Sequence, residues 1–404
     1  MPFDDVGMPQ GKGGGKKATP FRTSKDARTL AWKVRRAFTD ETAWEFVKRI
    51  RFRDNGGEPY CPACGSVRHS VIKSRPRVWS CGETQCRKQY SVTSGTIFHS
   101  RKLPFDLLLE LVFRFAESAK GTSACELSIS METSYSAVWH NLMKLREAMS
   151  SRRDDVTLAG EIEMDAAWFG GTVRPKNLVE DRQKDENDRR KGDDYEKGRR
   201  ALVVARQRKG NSVMFAADRE GRDVALGVMR NLVDLADDTK VFTDAAPAYR
   251  EVSAFADHLT VDHGVGFKVG GINTNQAESS FSRARRAEIG VYHRWFRTWL
   301  DFYGGEMCWR EDARRTGNLE QAMDILALAL EHPQSRHLKG YYQHYQLPKP
   351  RDRPEVRFGR VEGRRAPRGR PPAAAEAVPD AGPVEVREEQ IFLGPTLPPR
   401  PPGH

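Results

Sequence analysis

Long apolar runs are missing from this sequence. No stretch approaches the roughly 18 consecutive apolar residues of a membrane-spanning helix, so no membrane partner is expected. The chain opens Met1-Pro2-Phe3-Asp4-Asp5 without the charged-then-apolar pattern of a secretory signal, and a cytoplasmic protein is expected. Hydrophobic residues make up only 38% of the 404 residues, too few for one uniformly packed globule. The length allows two or three domains. Cysteine is sparse and uneven: Cys61, Cys64, Cys81 and Cys86 fall within 26 residues, while Cys125 and Cys308 stand alone. In a cytosolic chain such a cluster argues for a metal over disulfides. The two isolated cysteines, in helical apolar contexts, read as core fillers. Acidic residues are outnumbered, 55 against 67 Lys and Arg, giving a formal charge of +12. That balance favours a polyanionic partner, most simply nucleic acid.

Composition shifts divide the chain. Residues 1–37 contain Gly11-Lys12-Gly13-Gly14-Gly15-Lys16-Lys17 and read as a disordered basic arm. Ala43, Phe46, Val47 and Ile50 then repeat at i, i+3, i+4 and i+7, so an amphipathic helix starts after Thr39 or Asp40. Together with the cysteine cluster it forms a unit over 38–100. A helical unit follows over 101–152. Phe105 to Ala116 is apolar nearly all round, Ser123 and Glu126 have capping-box spacing, and Val138, Leu142, Leu145 and Met149 line a third helix from Ser134. From 158 to 335 strands and helices alternate. Strands are expected at 161–169, 201–207, 212–217, 240–243 and 258–262, with helices at 222–235, 274–287 and 318–330. Within this region 174–200 has 18 charged residues of 27 and no apolar period, which predicts a solvated insertion. The Pro/Arg-rich end, 346–404, cannot bury enough apolar surface to offset its chain entropy and is expected to be disordered.

Cys61-Pro62-Ala63-Cys64, sixteen residues, Cys81, four residues and Cys86 give two thiolate pairs on separate knuckles. A tetrahedral structural zinc needs such an arrangement, and four filled positions leave none for water. Gly65 and Gly82 permit the sharp turns. The module at 104–149 has the order of a helix-turn-helix, in which the last helix offers its first turns to a DNA groove. Ser134, Tyr135, His140 and Lys144 lie off its apolar face as candidate DNA contacts, and a plain packed three-helix bundle is the alternative.

Three carboxylates stand out. Asp165 lies in the strand Glu161–Phe169, Asp244 ends the strand Lys240–Thr243, and Glu278 is on the helix that follows Thr274. A carboxylate after apolar strand residues is costly unless it serves a metal or a cation. Mg²⁺ and Mn²⁺ favour such oxygen ligands, and two ions about 4 Å apart suit phosphoryl transfer. Arg285, seven residues beyond Glu278, shares its face and can grip a phosphate. Arg283 and Arg286 point elsewhere and can track a DNA backbone.

Taken in order, these pieces resemble bacterial insertion-sequence transposases of the DDE type with an N-terminal zinc ribbon. The resemblance covers about residues 38–315. It rests on Cys61-Pro62-Ala63-Cys64-Gly65, Cys81 and Cys86, Gln89-Tyr90-Ser91-Val92, Gly95-Thr96-Ile97-Phe98, Glu163-Met164-Asp165 with Gly170-Gly171, and Thr243-Asp244 with Ala248-Tyr249. Asp262-His263, Thr274-Asn275-Gln276-Ala277-Glu278, Gly290-Val291-Tyr292-His293 and Arg310 complete it. It implies a multidomain α+β chain: a zinc ribbon, a helix-turn-helix-like module, and a ribonuclease-H-like α/β catalytic domain with a mixed sheet. It implies cleavage at element ends and joining of the 3′ hydroxyl to target DNA, with one structural Zn²⁺, two catalytic Mg²⁺ or Mn²⁺, and a homo-oligomer on double-stranded DNA near the nucleoid. By the same resemblance Asp165 and Asp244 bind the catalytic metals. The third ligand is Glu278 on charge, with Asn275 supporting, although the motif admits either. Two positions depart from the pattern: Ala166 replaces an acid after the first aspartate, and Arg285 stands where lysine is common. Two other readings share the charge and ribbon: a DNA-binding regulator derived from an inactive transposase, and a nuclease that hydrolyses without joining.

Overall fold

A computed structural model describes residues 21–30, 35–170, 199–235, 238–261, 273–335, 337–338 and 341. Most of the expected basic arm, residues 174–198 of the insertion, Asp262-His263 and the Pro/Arg-rich end lie outside the described residues.

Helix α1 (Asp40–Arg51) begins where Thr39 and Thr42 form a reciprocal capping box, and it buries Ala43, Trp44, Val47 and Ile50. Three antiparallel strands follow: β1 (His69–Ile72), β2 (Arg75–Cys81) and β3 (Gln89–Ser91). Trp79 sits at their centre, stacked on Trp44 of α1 at 5.9 Å and packed against Phe52 and Tyr90. The ribbon's small core is thus borrowed from α1. Helix α2 (Phe105–Glu117) buries eight residues, matching its nearly all-round apolarity. Short α3 (Ala124–Ser130) is capped by Ser123, whose hydroxyl accepts from the Glu126 N–H. Its one buried residue is Leu127, so Cys125 is exposed and is not the core filler expected of it. Cys308 is buried, as expected. Helix α4 (Tyr135–Ser151) starts at the Ser134 cap.

The second sheet has five strands: β4 (Glu161–Gly170), β5 (Arg199–Gln207), β6 (Ser212–Ala217), β7 (Lys240–Asp244) and β8 (Asp257–Val261). Their spatial order is β6-β5-β4-β7-β8. β4, β5 and β6 form an antiparallel meander, whereas β7 and β8 join parallel to β4. Arg199 and Arg200, expected in the solvated insertion, begin β5 because they pair with Gly170 and Phe169 across the ladder. One face of the sheet packs against α5 (Arg222–Leu232) and the 3₁₀ turn Pro247–Ala254. The other packs against α6 (Asn275–Gly290) and α7 (Leu300–Asp312). A mixed sheet with helices on both faces, preceded by a zinc-ribbon region, makes the chain a multidomain α+β protein of ribonuclease-H-like architecture.

Helix α8 (Asn318–Glu331) leaves the sheet and returns to the N-terminal half. Ala322, Ile325, Leu326 and Ala329 join one apolar cluster with α1, α2 and α4. Helix α7 also lies hard against α4. A Cβ on Gly305 would fall 2.4 Å from the Ser150 Cα, so only glycine allows that approach. Inside the same contact Glu306, fully buried, receives Arg146 Nε at 2.7 Å, Arg310 Nε at 2.8 Å and the Tyr292 hydroxyl at 2.7 Å. Among the described residues no helix is long and apolar enough to cross a membrane.

Candidate active site and metal centres

The turn 61–64, the end of β2 and the turn between β2 and β3 bring four sulfurs together within 4.8 Å. Cys61 and Cys86 Sγ are 3.8 Å apart, and Cys64 and Cys81 Sγ 3.6 Å. A tetrahedron with zinc–sulfur bonds of about 2.3 Å has edges of about 3.8 Å, so the four thiols fit one zinc. The spacing is far too long for a disulfide. Burial pushes the Cys81 thiol up to about 12, so a cation is needed to hold it as thiolate. Gly65 is in the left-handed region at φ +80°, as the sharp turn requires. Gly82 serves differently, since its added Cβ would press on the Arg68 carbonyl oxygen at 3.1 Å.

The acidic site forms where β7 ends beside the middle of the parallel strand β4. Glu163 of β4 is level with Phe242 of β7. Two residues further along each strand stand Asp165 and Asp244. Asp165 Oδ1 accepts from the Ala166 N–H at 2.7 Å, and Asp244 Oδ1 accepts from the Ala246 N–H at 3.1 Å. These bonds hold both carboxylates in place beside the end of β7. The third carboxylate within 4.8 Å of them is Glu220, from the turn between β6 and α5. Glu278, on α6, does not join that group, although it is near enough to act on Asp165. Burial, then the neighbouring carboxylates of Asp244, Glu220 and Glu278, push the Asp165 carboxyl up to about 7, against the Ala166 hydrogen bond. Glu220 is raised as well, by burial first and Asp244 second, against the Tyr249 hydroxyl. Crowded, partly buried carboxylates of this kind suit a hard divalent cation.

A buried carboxylate sets the helix that bears Glu278. Glu163, with no exposed surface, accepts the N–H groups of Gln276 and Ala277 at 2.7 and 3.1 Å and Arg208 Nε at 2.7 Å. Arg208 also reaches the Asn273 carbonyl at 2.8 Å and lies on the Phe242 ring. Glu163 therefore caps α6 and ties it to β4 two residues before Asp165.

The remaining expected contacts divide. Asn275 is exposed at the start of α6. Arg285 is exposed, with its guanidinium 5.0 Å from the Phe169 ring centre. Arg286 is exposed, whereas Arg283 is engaged by Glu311 and Ser279, tying α6 to α7. Ser134 and Tyr135 lie exposed in the first turn of α4. His140 is half-buried, and burial lowers it to about 4. Lys144 departs from its expected role. Its exposure is only 9%, on a helix that packs against α7 and α8, and burial lowers its ammonium.

Sequence reasoning missed Glu220 and Glu163. Glu220 carried a weaker form of the Asp244 signal: it stands three residues past a wholly buried strand, whereas Asp244 ends its own. Glu163 lay inside a recognised motif, but its role depends on α6 arriving 113 residues later.

The ribonuclease-H-like sheet with an acidic strand-end site, behind a four-cysteine ribbon, defines a class of two-part chains. A model described as a transposase zinc-ribbon domain matches residues 38–89, and one described as an ISXO2-like transposase domain matches residues 157–312. The chain thus belongs with the insertion-sequence transposases of the DDE type that have an N-terminal zinc ribbon. The second match ends at the last residue of α7, leaving out α8, which packs elsewhere. No curated protein matches the chain.

Proposed function

We propose that this protein is a DNA transposase that cleaves the ends of an insertion sequence and joins the freed 3′ hydroxyl to target DNA. The observation that carries this reading is the pairing of Asp165 with Asp244 on adjacent strands, with a third carboxylate against them, inside the segment matched by the transposase domain. Two divalent cations, Mg²⁺ or Mn²⁺, seated there would activate the attacking oxygen and stabilise the leaving one. Asp165 and Asp244 hold the cations, and Glu278 approaches from α6 with Asn275 beside it. Arg285 steadies a phosphate of the strand being cut. The ribbon's four cysteines hold one structural zinc. Ser134, Tyr135 and Arg286 offer polar contacts to double-stranded DNA, and the excess of basic residues supports a polyanionic partner. Joining two element ends at one target calls for two or more copies assembled on DNA.

A strand-transfer assay tests this. Purified protein, labelled DNA bearing the element's own ends, and Mg²⁺ are combined, with Asp165→Ala alongside. Joined products from the wild type alone are expected. DNA binding with neither cleavage nor joining would instead identify a regulator derived from an inactive transposase, and cleavage without joining a nuclease. Asp244→Asn is expected to abolish cleavage with DNA affinity nearly unchanged.

A further inference from the structure

We propose that Glu220 is a cation ligand of the acidic site, sharing a divalent ion with Asp165 and Asp244, and that Tyr249 positions its carboxylate. The inference rests on the reading that the two aspartates hold a catalytic cation, and it adds a ligand that neither the expected triad nor its helix supplies.

Several buried acids of this protein are paired with arginines. Glu163 has Arg208, Asp301 has Arg153, Glu306 has Arg146 and Arg310, and Glu311 has Arg206. Each of these four carboxylates meets a guanidinium, because an unpaired buried charge is costly; Glu147, buried without one, keeps a raised carboxyl instead. Asp165, Glu220 and Asp244 break that pattern. Their carboxylate oxygens lie within 4.8 Å of one another, where like charges repel. Among the described residues no Lys or Arg forms an ion pair with any of the three. The groups that touch them are neutral: the backbone N–H groups of Ala166 and Ala246 and the Tyr249 hydroxyl.

Tyr249 is only 2% exposed. Its hydroxyl faces the three carboxylates and lies nearest Glu220, yet it makes no hydrogen bond of good geometry, and neither does the buried Glu220 Oε1. A buried donor and a buried acceptor left this way are expensive. A hydroxyl can orient a carboxylate without cancelling its charge, which an arginine would do. Three anionic oxygen donors with a neutral orienting group make a place for a hard cation. Glu278 stands outside this set, so its contribution to binding an ion without DNA should be smaller than that of Glu220.

The test is Mn²⁺ binding to the full-length, zinc-loaded protein, read by electron paramagnetic resonance, with thermal melts with and without Mn²⁺. Glu220→Gln should weaken Mn²⁺ binding at least tenfold. It should also melt no lower than wild type when no divalent ion is added, since one of three repelling charges is gone. Tyr249→Phe should weaken binding about two- to fivefold, and Glu278→Gln should weaken it less than Glu220→Gln. Asp244→Asn serves as the reference. If it loses Mn²⁺ while Glu220→Gln binds like wild type, the role of Glu220 is overturned and the aspartate pair stands. If both variants bind like wild type, the cation reading of the whole site fails. A Glu220→Gln protein that melts lower in both conditions would make Glu220 a packing residue. Unchanged binding in Tyr249→Phe would overturn the positioning role alone.

Discussion

Glu147 lies on α4 with 6% exposure, and burial pushes its carboxyl up to about 7, against Ser335 and Lys144. Between an ordinary value of 4.5 and about 7 the folded protein keeps a proton that the unfolded chain has released. Its contribution is therefore fully present below about pH 4.5 and is lost as pH rises through 7. His140 works in the opposite sense. Its contribution is present above 6.5 and is lost as pH falls through about 4. Glu147→Gln should consequently be more stable than wild type at pH 8, on the order of 2 kcal/mol, with the gap closing by pH 5. Urea melts at the two values check this, and an unchanged gap would remove Glu147 from the account. In the ribbon, Cys64→Ser should release zinc and unravel residues 58–98, read by metal analysis of the purified variant. Stoichiometric zinc in that protein would argue against a four-cysteine site. The cysteine ligands were legible because a ribbon's ligands sit close in sequence. Lys144 was not, because its burial depends on what packs against its helix, which its neighbours in sequence do not show.

Two elements are fixed by buried carboxylates. Glu306 joins α4 to α7 through Arg146, Arg310 and Tyr292. Glu306→Ala strands two buried guanidinium groups, a loss of about 3–5 kcal/mol, measurable by denaturant unfolding. A cost under about 1 kcal/mol would mean that water reaches the site. Glu163 fixes α6. Glu163→Gln removes the charge from three hydrogen bonds, each worth about 1.5–3 kcal/mol with a charged acceptor. Cleavage in single turnover should fall at least tenfold while zinc and DNA are still bound, because the start of α6 drifts from β4. The helices themselves were readable. Thr39, Ser123 and Ser134 are N-caps with local partners, and the apolar spacing of α2 and α4 matched their buried faces. What each helix packs against was not local information.

At the scale of the molecule, α8 closes the N-terminal core after the chain has passed through the sheet. Truncation before residue 318 should speed hydrogen exchange in α1 and α2 while leaving β4–β6 protected. Equal acceleration in both halves would mean that the two cores unfold as one unit. Association with DNA should weaken steeply with salt. About six phosphate contacts correspond to a loss of roughly a thousandfold between 50 and 200 mM, and a flat response would count against the basic surface as the binding face.

Local chemistry in the sequence determined the cysteine ligand set, the caps, the strand and helix periods, and the two strand aspartates, because each depends on neighbours a few residues away. The tertiary structure alone decided which carboxylate joins Asp165 and Asp244, that Lys144 is covered and Cys125 is not, and that Glu163 and Glu306 act as clamps. Those outcomes depend on distances between segments dozens to hundreds of residues apart, set by sheet order and helix packing.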